Sequence, residues 1–320
     1  MNSRGIRWVV GCSDGPTLGE VLRRAGVDPD ALADGRVFVD RHRSRNDAEP
    51  VRVGDVVSVA PRARPKEASR VEVLATCRDL VAIDKPAGIP TIADHAGSAH
   101  SVQGLAAKAL GVDPNALHPT SRLDRDVSGV IIFARSPVGA SRLLEARAQG
   151  LYSRRYVAIA SNPLSPPRGR WDFPVGRAAN PRLREVGGRD PIPASTRYAM
   201  CKLLGSGTAL ATFAPETGRT HQIRVHASHA GAPLVGDRAY GGRVSITLPT
   251  GGVVAPRRIA LHAARVSVPR AVLGRRTDSD VGPAWVVSSP VPHELIDLGR
   301  ALGLAPHEWE DAVSCDLSFD

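Results

Sequence analysis

The sequence predicts an α+β protein built from two parts. Short apolar, β-branched segments typical of strands alternate with amphipathic segments typical of helices. A charged stretch with two prolines and no apolar period, PRARPKEASR at residues 61–70, separates a first compact unit from the rest. We therefore expect a small N-terminal module over residues 1–62, a linker over 63–71 and a larger domain over 72–320. A surface loop is the alternative to the linker.

The N-terminal module begins with a predicted helix over residues 17–25. Thr17 and Glu20 have the spacing of a capping box, and Gly26 follows the last apolar position. Two β-branched strands then follow, with a charged stretch between them; the predicted strand ranges are 36–39 and 56–59, and the charged stretch is 40–49. The module is thus a compact α/β unit of its own.

The larger domain alternates between strands and helices. Strands are predicted at 80–83, 130–134, 156–160 and 209–213. Helices are predicted at 101–110 and 138–149, each followed by a glycine. Proline- and glycine-rich loops are predicted at 162–170 and 176–193, and residues 241–257 are expected to be rich in loops. The acidic residues from Glu308 onward are expected to be peripheral.

The charge of the chain favours a polyanionic partner. The formal net charge is +10, from 42 Lys+Arg and 32 Asp+Glu. A basic surface attracts nucleic acid or acidic membranes, although a generally basic protein fits the charge as well. The sequence contains neither a signal peptide nor an apolar run of membrane-spanning length. We expect a soluble cytoplasmic protein that does not act at a membrane.

The cysteines do not indicate a metal or redox site. Cys12, Cys77, Cys201 and Cys315 form no CxxC pair. A zinc cluster and a redox motif are therefore not expected, and the four thiols are expected to be reduced.

A first candidate segment for chemistry is Ser121–Gly129, which reads SRLDRDVSG. It holds the carboxylates of Asp124 and Asp126 and leads into the predicted strand at 130–134. Loops that enter a sheet often carry reactive side chains, and neighbouring guanidinium groups keep a carboxylate ionised. By itself, the segment favours the alternative of a polar turn that contains local salt bridges.

A second candidate segment is Thr217–His226, which reads TGRTHQIRVH. The pattern predicts a loop that enters a helix at Thr220, with Arg219 at the helix N-terminus, where anions are favoured. Three histidines lie in or near this segment: His221, His226 and His229. No cysteine or carboxylate stands at ligand spacing from them, so hydrogen-bonding or RNA-facing roles are preferred to a metal site.

Taken together, these segments resemble the RluA-type family of pseudouridine synthases. That family carries motifs close to H-R-L-D-x-x-T-S-G and T-G-R-T-H-Q-I-R-V-H, and a D-K-P-x-G signature matched here at residues 84–88. Further matches in the same order are Gly236-Asp237, Tyr240-Gly241 and Leu261-His262-Ala263. The sequence departs from the family pattern at Ser121, Val127 and Arg154, where the family commonly has His, Thr and Lys.

The resemblance implies the fold, the reaction and the partner. The fold would be a mixed, largely antiparallel sheet with flanking helices and a central cleft. The reaction would be isomerisation of uridine to pseudouridine in ribosomal RNA, transfer RNA or both, without cofactor or metal. We expect a monomer. Residues 14–60 more weakly resemble the alpha-L RNA-binding module, and a non-binding N-terminal cap is the alternative.

The resemblance also assigns site residues. It implies that Asp124 is the catalytic carboxylate, either as nucleophile or as base, with Asp126 as its rival. Arg219 resembles the family arginine that pairs with this carboxylate, Tyr156 resembles the active-site tyrosine that stacks on the uracil, and Leu261 would line the pocket. The residues expected to bind RNA are Arg122, Arg125, His221 and Arg224.

Two other classes of function remain as alternatives. A non-catalytic RNA-binding or ribosome-assembly protein would keep the fold but lose the catalytic set, which is present here. A glycoside hydrolase would use Asp124 and Asp126 as a pair on either side of the scissile bond. The arginine-rich surroundings of these carboxylates favour RNA over a sugar polymer.

Overall fold

The chain divides into two units in a computed structural model. The structure describes residues 6–27, 30–33, 37–40, 42–44, 46–59, 70–92, 100–249, 252–273 and 282–317. The smaller unit comprises Met1–Ser69 with Asp94–Gly97, and the larger comprises Arg70–Ala93 with Ser98–Asp320. Most of the predicted linker lies outside the described residues, so the linker and the domain bounds remain predictions.

The smaller unit consists of one sheet with helices against it. Its elements are β1 (Ile6–Val9), α1 (Leu18–Arg24), α2 (Asp30–Ala33), β2 (Val37–Val39), β3 (His42–Ser44) and β4 (Val56–Val59). The strands are antiparallel in the order β1-β4-β2-β3. Leu18, Val21 and Leu22 of α1 pack with the apolar strand residues in one core. The predicted helix and both predicted strands are present.

Strand β3 lies in the stretch that the sequence predicts only as charged. Val39 pairs with His42, so β3 gains its main-chain hydrogen bonds from β2. Its side chains are mostly exposed, with only Ser44 buried. Since an exposed edge strand needs no apolar pattern, periodicity alone misses it.

The larger unit contains most of the secondary structure. Its strands are β5 (Glu72–Cys77), β6 (Leu80–Lys85), β7 (His118–Pro119), β8 (Ser128–Ala134), β9 (Ser153–Ala160), β10 (Arg168–Trp171), β11 (Val175–Arg177), β12 (Arg184–Val186), β13 (Arg189–Ile192), β14 (Thr196–Leu203), β15 (Ala209–Pro215), β16 (Ile246–Thr247), β17 (Val253–Val254), β18 (Leu261–Pro269) and β19 (Ala284–Ser288). Its α-helices are α3 (Val102–Leu110), α4 (Pro137–Ala148), α5 (Gln222–His229), α6 (His293–Ala301) and α7 (Pro306–Ser314).

A ten-stranded sheet forms the centre of the larger unit among the residues described. Its main path runs β10-β14-β15-β9-β18-β8-β6-β5, with β19 beside β18 and β7 beside β8. Only the β8–β18 pair is parallel in this sheet, while the other pairs are antiparallel. The expected mixed, largely antiparallel sheet with flanking helices is confirmed. Strand β8 is buried along its whole length, as its apolar sequence predicts.

The helices predicted at 101–110 and 138–149 are confirmed, and a serine side chain caps the N-terminus of each. The Ser101 hydroxyl accepts a hydrogen bond from the Gly104 amide at 3.1 Å, and Gly111 ends α3 with a left-handed φ of 67°. The Ser136 hydroxyl accepts from the Gly139 amide at 3.0 Å at the start of α4. Satisfied end groups explain why these two helices were readable from the sequence.

Two predicted loops contain strands. Strand β10 begins within 162–170 and ends one residue beyond it, and β11, β12 and β13 form a small sheet within 176–193 and just before it. The prediction of plain loops there is wrong. These strands are three or four residues long and rich in arginine, glycine and proline, so they carry neither apolar alternation nor β-branched runs.

The C-terminal segment is not peripheral, contrary to the expectation. Trp309 and Ala312 of α7 are 2% and 0% exposed, and they join the core that contains Val157 and Ile159 of β9. The acidic residues of α7 occupy its outer face, so the overall polarity of the segment hides an apolar stripe.

Candidate active site

Three neighbouring strands at the centre of the sheet position the candidate site. Asp124 lies in the loop that enters β8, Tyr156 lies on β9, and Leu261 begins β18. Strand β18 pairs with both others: Ala263 faces Tyr156, and His262 faces Ser128. Tyr156 and Leu261 also belong to one buried apolar cluster. The structure therefore brings together three residues that are far apart in the sequence.

The loop that carries Asp124 is held on both sides by buried polar contacts. The Lys85 ammonium is fully buried and donates to the carbonyls of Pro86, Arg125 and Val127 at 3.0, 2.9 and 2.7 Å. Burial lowers the pKa of Lys85 to about 7, and the charges of Asp126 and Asp124 oppose that shift.

On the other side of Asp124, the main chain of the loop is tied to Thr91. The Thr91 hydroxyl donates to the Leu123 carbonyl at 2.9 Å and accepts from the Leu123 amide at 3.1 Å. With Lys85 and Thr91 both bound to main-chain groups, the backbone around Asp124 is fixed before any substrate arrives.

Asp124 is the first member of a chain of charges. Its Oδ2 accepts a hydrogen bond from Arg224 Nη1 at 2.8 Å. Arg224 Nε and Nη2 donate to the two carboxylate oxygens of Asp237, each at 2.8 Å. Burial alone would lower the pKa of Arg224, but the carboxylates of Asp237 and Asp124 outweigh burial and raise this pKa above the ordinary value of an arginine. The guanidinium therefore stays charged and orients the Asp124 carboxylate.

His221 and Tyr240 form the wall next to this chain. The Tyr240 hydroxyl lies 2.7 Å from His221 Nδ1 and accepts from the Arg184 amide at 2.9 Å, while the Tyr240 ring stacks under the Arg224 guanidinium at 4.8 Å. His221 Nε2 is 3.9 Å from Asp124 Oδ2. Burial lowers the pKa of His221, so its ring is neutral at neutral pH. His221 thus faces the carboxylate as a neutral hydrogen-bonding group.

Tyr156 and Leu261 supply the buried face of the site. Tyr156 is 7% exposed and Leu261 is 3% exposed. Burial raises the pKa of the Tyr156 phenol, and the nearby charge of Asp124 adds to that shift. The phenol is therefore protonated at neutral pH and can donate a hydrogen bond.

The arginine that pairs with Asp124 is not the expected one. Arg224 makes the contact, whereas Arg219 is exposed and its Nε donates to the Pro193 carbonyl at 3.0 Å. The expectation that Arg219 pairs with the catalytic carboxylate is wrong. The expected RNA contact of Arg224 loses support, because its Nη1, Nε and Nη2 all bind carboxylates.

The reason lies in the start of α5, which begins at Gln222 and not at Thr220. His221 adopts a left-handed φ of 58° just before it. The Gln222 side chain holds this turn by accepting from the Thr217 hydroxyl and the Arg219 amide at 2.8 and 2.9 Å. The turn leaves Arg219 in the loop and sets Arg224 on the helix, where it reaches Asp124.

The remaining predicted residues lie at the rim. Arg122 is exposed and makes no hydrogen bond or ion pair with any described residue, and Arg125 Nε donates to the Gly88 carbonyl at 3.0 Å. Asp126 is also exposed, and its carboxylate forms no ion pair within the described part of the chain. Asp126 therefore lacks the orienting partner that Asp124 has, which counts against a paired-carboxylate hydrolase.

Sequence reasoning gave no role to three residues of the site. Lys85, Asp237 and Tyr240 all fall in segments that match family motifs. Their place in those motifs was the signal in the sequence that could have indicated a role in the site. What the sequence lacked was the contact: Arg224 and Asp237 pair across 13 residues, and Lys85 reaches the Val127 carbonyl across 42 residues.

Two features are absent from the described residues. No group of three or more His, Cys, Asp or Glu side chains in that part of the chain is placed to hold a metal ion. None of the helices found there is long and apolar enough to cross a membrane.

Comparison with known proteins gives consistent matches. The model for RNA pseudouridylate synthases matches residues 79–229. The chain is 34% identical over 285 residues to a ribosomal large subunit pseudouridine synthase D from Xanthomonas campestris, covering 85% of this chain and 81% of that protein. It is 33% identical to an uncharacterized RNA pseudouridine synthase from Zymomonas mobilis, covering 71% of this chain and 96% of that protein.

Solved structures support the fold. The human RNA pseudouridylate synthase domain containing 1 superposes with a TM-score of 0.57 at 21% identity, covering 81% of this chain and all of that chain. The human domain containing 4 protein gives a TM-score of 0.53 at 22% identity, covering 72% of this chain and 92% of that chain. At these identities, the likeness concerns the fold alone.

Proposed function

This chain belongs to the RNA pseudouridylate synthase family, and from that premise we propose that it isomerises specific uridines of ribosomal RNA at Asp124. Its reaction class follows from the family: it is an isomerase that converts uridine in RNA to pseudouridine. Ribosomal RNA is preferred to transfer RNA because the Xanthomonas campestris relative is named for the large ribosomal subunit. The observation that supports the role of Asp124 is its hydrogen bond from Arg224, which Asp237 holds in turn.

The reaction needs one oriented carboxylate. The bond between the sugar and nitrogen 1 of uracil breaks, the uracil rotates, and carbon 5 bonds to the sugar. Carbon 5 then loses a proton and nitrogen 1 gains one, so the atoms balance without a co-reactant. Asp124 serves either as nucleophile or as base on the sugar, and both routes require the ionised form that Arg224 stabilises.

Tyr156 and Leu261 fit the handling of the base. The aromatic face of Tyr156 offers a stacking surface, and Leu261 offers an apolar wall for the rotating uracil. Because burial raises the pKa of the Tyr156 phenol, its proton is retained at neutral pH. The hydroxyl is then available for the proton exchange that carbon 5 and nitrogen 1 require.

The target uridine has to leave its helix to reach this site. A buried pocket admits an unpaired or extruded nucleotide, which costs a few kcal/mol of stacking. Phosphate contacts offset that cost, and the exposed Arg122 and Arg125 at the rim are suited to them.

The experiment that tests the substrate is a map of pseudouridines in a strain without the gene. We expect at least one position in large-subunit ribosomal RNA to lose its pseudouridine and to regain it when the wild-type gene is restored. Transfer RNA from the same strain, mapped in parallel, is the internal control. Loss confined to transfer RNA would contradict the ribosomal assignment, and no loss at all would contradict the proposed function.

We further propose that the N-terminal unit, predicted over residues 1–62, adds affinity for RNA. Tethering a second binding surface raises the effective concentration of the first. Removal of residues 1–69 should therefore raise KM for ribosomal RNA about tenfold while kcat is kept. An unchanged KM would favour the alternative of a non-binding cap. The monomeric state and the cytoplasmic location also remain predictions.

A further inference from the structure

Three arginines meet at Gly218, beside the site. Arg147 lies near the end of α4, Arg154 lies on β9, and Arg219 follows Gly218 in the loop after β15. A Cβ atom added to Gly218 would stand 1.4 Å from Arg147 Nη2 and 3.2 Å from Arg154 Nη1. The main chain at Gly218 therefore lies directly against these two guanidinium groups. We call Arg147, Arg154 and Arg219 the Gly218 arginine cluster.

The cluster is bound only to neutral groups. Arg147 Nη1 donates to the Thr120 carbonyl at 3.1 Å, and Arg154 Nη2 donates to the Pro215 and Thr217 carbonyls at 2.9 and 2.5 Å. Arg219 has the Pro193 carbonyl as its acceptor. No described carboxylate forms an ion pair with any of the three. Three positive charges thus stand together without a paired carboxylate among the described residues.

This arrangement has an electrostatic cost. Burial lowers the pKa of Arg147, and the positive charges of Arg154 and Arg219 lower it further. Arg154 is 8% exposed, and its Nε is buried without a hydrogen-bond partner among the described residues. Like charges in a partly buried place repel strongly, and an anion relieves that repulsion.

The cluster borders the catalytic carboxylate and opens to solvent. The Tyr156 phenol is within electrostatic range of Arg154, Arg147 and Asp124, so the cluster and the carboxylate both lie near the same side chain. Gly218 is exposed and Arg147 is only half-buried. An anion can therefore approach the cluster at Gly218 while the adjoining base occupies the pocket.

We propose that the Gly218 arginine cluster binds a backbone phosphate of the RNA next to the target uridine. Guanidinium groups match the geometry of phosphate oxygens and form strong charge-assisted hydrogen bonds with them. The phosphate supplies the missing counter-charge and fixes the attached sugar beside Asp124. The proposal rests on the proposed function, since it assumes that RNA is the substrate.

The test compares Arg147→Gln with Arg142→Gln. Arg142 lies on the same helix, is exposed and forms no hydrogen bond or ion pair with the cluster, so its replacement removes the same charge without the proposed contact. The probe is a short fluorescein-labelled oligouridylate, and its affinity is measured over a range of potassium chloride concentrations. Loss of one phosphate contact should reduce the slope of log affinity against log salt by about 0.7 in Arg147→Gln. Arg142→Gln should keep the wild-type slope.

A second variant guards against a folding defect. Gly218→Ala leaves every charge in place, yet its Cβ would stand 1.4 Å from Arg147 Nη2 and displaces the guanidinium. Gly218→Ala should show the same reduction in slope as Arg147→Gln, while Arg147→Lys should keep most of the wild-type slope, provided that both melt like the wild type. Equal slopes in Arg147→Gln and Arg142→Gln would overturn the proposal.

The binding assay tests the phosphate contact, and the activity assay tests the proposed function, so the two proposals can be contradicted independently. Oligouridylate binding is read without turnover, so absence of pseudouridine formation by the wild type would overturn the proposed function without altering the salt slopes. With ribosomal RNA as substrate, Arg147→Gln should raise KM and largely keep kcat. A fall in kcat with an unchanged KM would overturn the assignment of Arg147 to phosphate binding.

Discussion

At the scale of single residues, the site depends on how one charge is held. Arg224 lies between Asp124 and Asp237, and the Asp237 side chain is only 1% exposed. Asp237 reaches no reacting atom in this arrangement and acts through Arg224. A bidentate pair fixes the plane of the guanidinium, and that plane fixes the direction of the Asp124 carboxylate.

Replacing Asp237 with Asn should therefore impair the chemical step more than RNA binding. The amide keeps the shape but loses the charge and one acceptor, so Arg224 is held less firmly. We expect kcat to fall about 100-fold, since small misplacements of reacting groups have costs of this size, while KM for RNA changes little. Steady-state kinetics with ribosomal RNA measures both constants.

Asp297→Asn is the matched control for this variant. Asp297 pairs with Arg300 on the surface of α6, where both side chains are more than half exposed. Exposed pairs contribute little, so kcat and KM should match the wild type. An Asp237→Asn variant that behaves like this control would show that Asp237 has no positioning role.

How far the sequence predicts the site differs from residue to residue. The predicted carboxylate, tyrosine and leucine converge at the site. The sequence predicted the wrong arginine as the partner of Asp124, because Arg219 and Arg224 lie in the same motif. Only the left-handed turn at His221 determines which of the two reaches Asp124. A turn stabilised by the Gln222 side chain leaves no periodic pattern from which to predict it.

At the scale of secondary-structure elements, patterned segments were predictable and short or exposed ones were not. Helix α3 has both caps, and β8 has an unbroken apolar run, so both were found. Strands β11 to β13 depend on pairing with each other and show no pattern of their own. Helix α7 was misjudged because its charged outer face outweighs its buried residues in composition.

The buried stripe of α7 gives a prediction about stability. Trp309 is 2% exposed and packs against Gly299 of α6, so Trp309→Ala leaves a large cavity. We expect the free energy of unfolding to fall by about 3–5 kcal/mol. Urea unfolding followed by circular dichroism measures it. Glu310→Ala, on the exposed face of the same helix, should change the value little, and equal values for the two variants would contradict the packing.

At the scale of the whole molecule, the site exists because distant strands meet in the middle of one sheet. The parallel contact of β8 with β18 joins His262 to Ser128 across 134 residues, and the Ser128 hydroxyl lies 2.9 Å from His262 Nδ1. Gly129 permits this approach: its φ is 120°, and a Cβ there would stand 2.2 Å from the Ala263 carbonyl oxygen.

The strand order itself could not be read from alternating segments. Local patterns predict strands and helices but not which strands pair, since pairing depends on contacts between segments far apart in the chain. The resemblance to a known family supplied the sheet type, which the structure confirms. Within that sheet, the entry loop of β8, the face of β9 and the start of β18 adjoin each other, and this juxtaposition supports Asp124 as the catalytic group.

The most direct measurement is the rate of pseudouridine formation by Asp124→Asn beside Asp126→Asn. Both variants exchange a carboxylate for an amide within the same loop, and binding of the labelled oligouridylate checks that each is folded. Pseudouridine released from treated ribosomal RNA is quantified by mass spectrometry. We predict that Asp124→Asn lowers kcat by at least about three orders of magnitude, while Asp126→Asn stays within about threefold of the wild type. An active Asp124→Asn enzyme, or an inactive Asp126→Asn enzyme, would contradict the account.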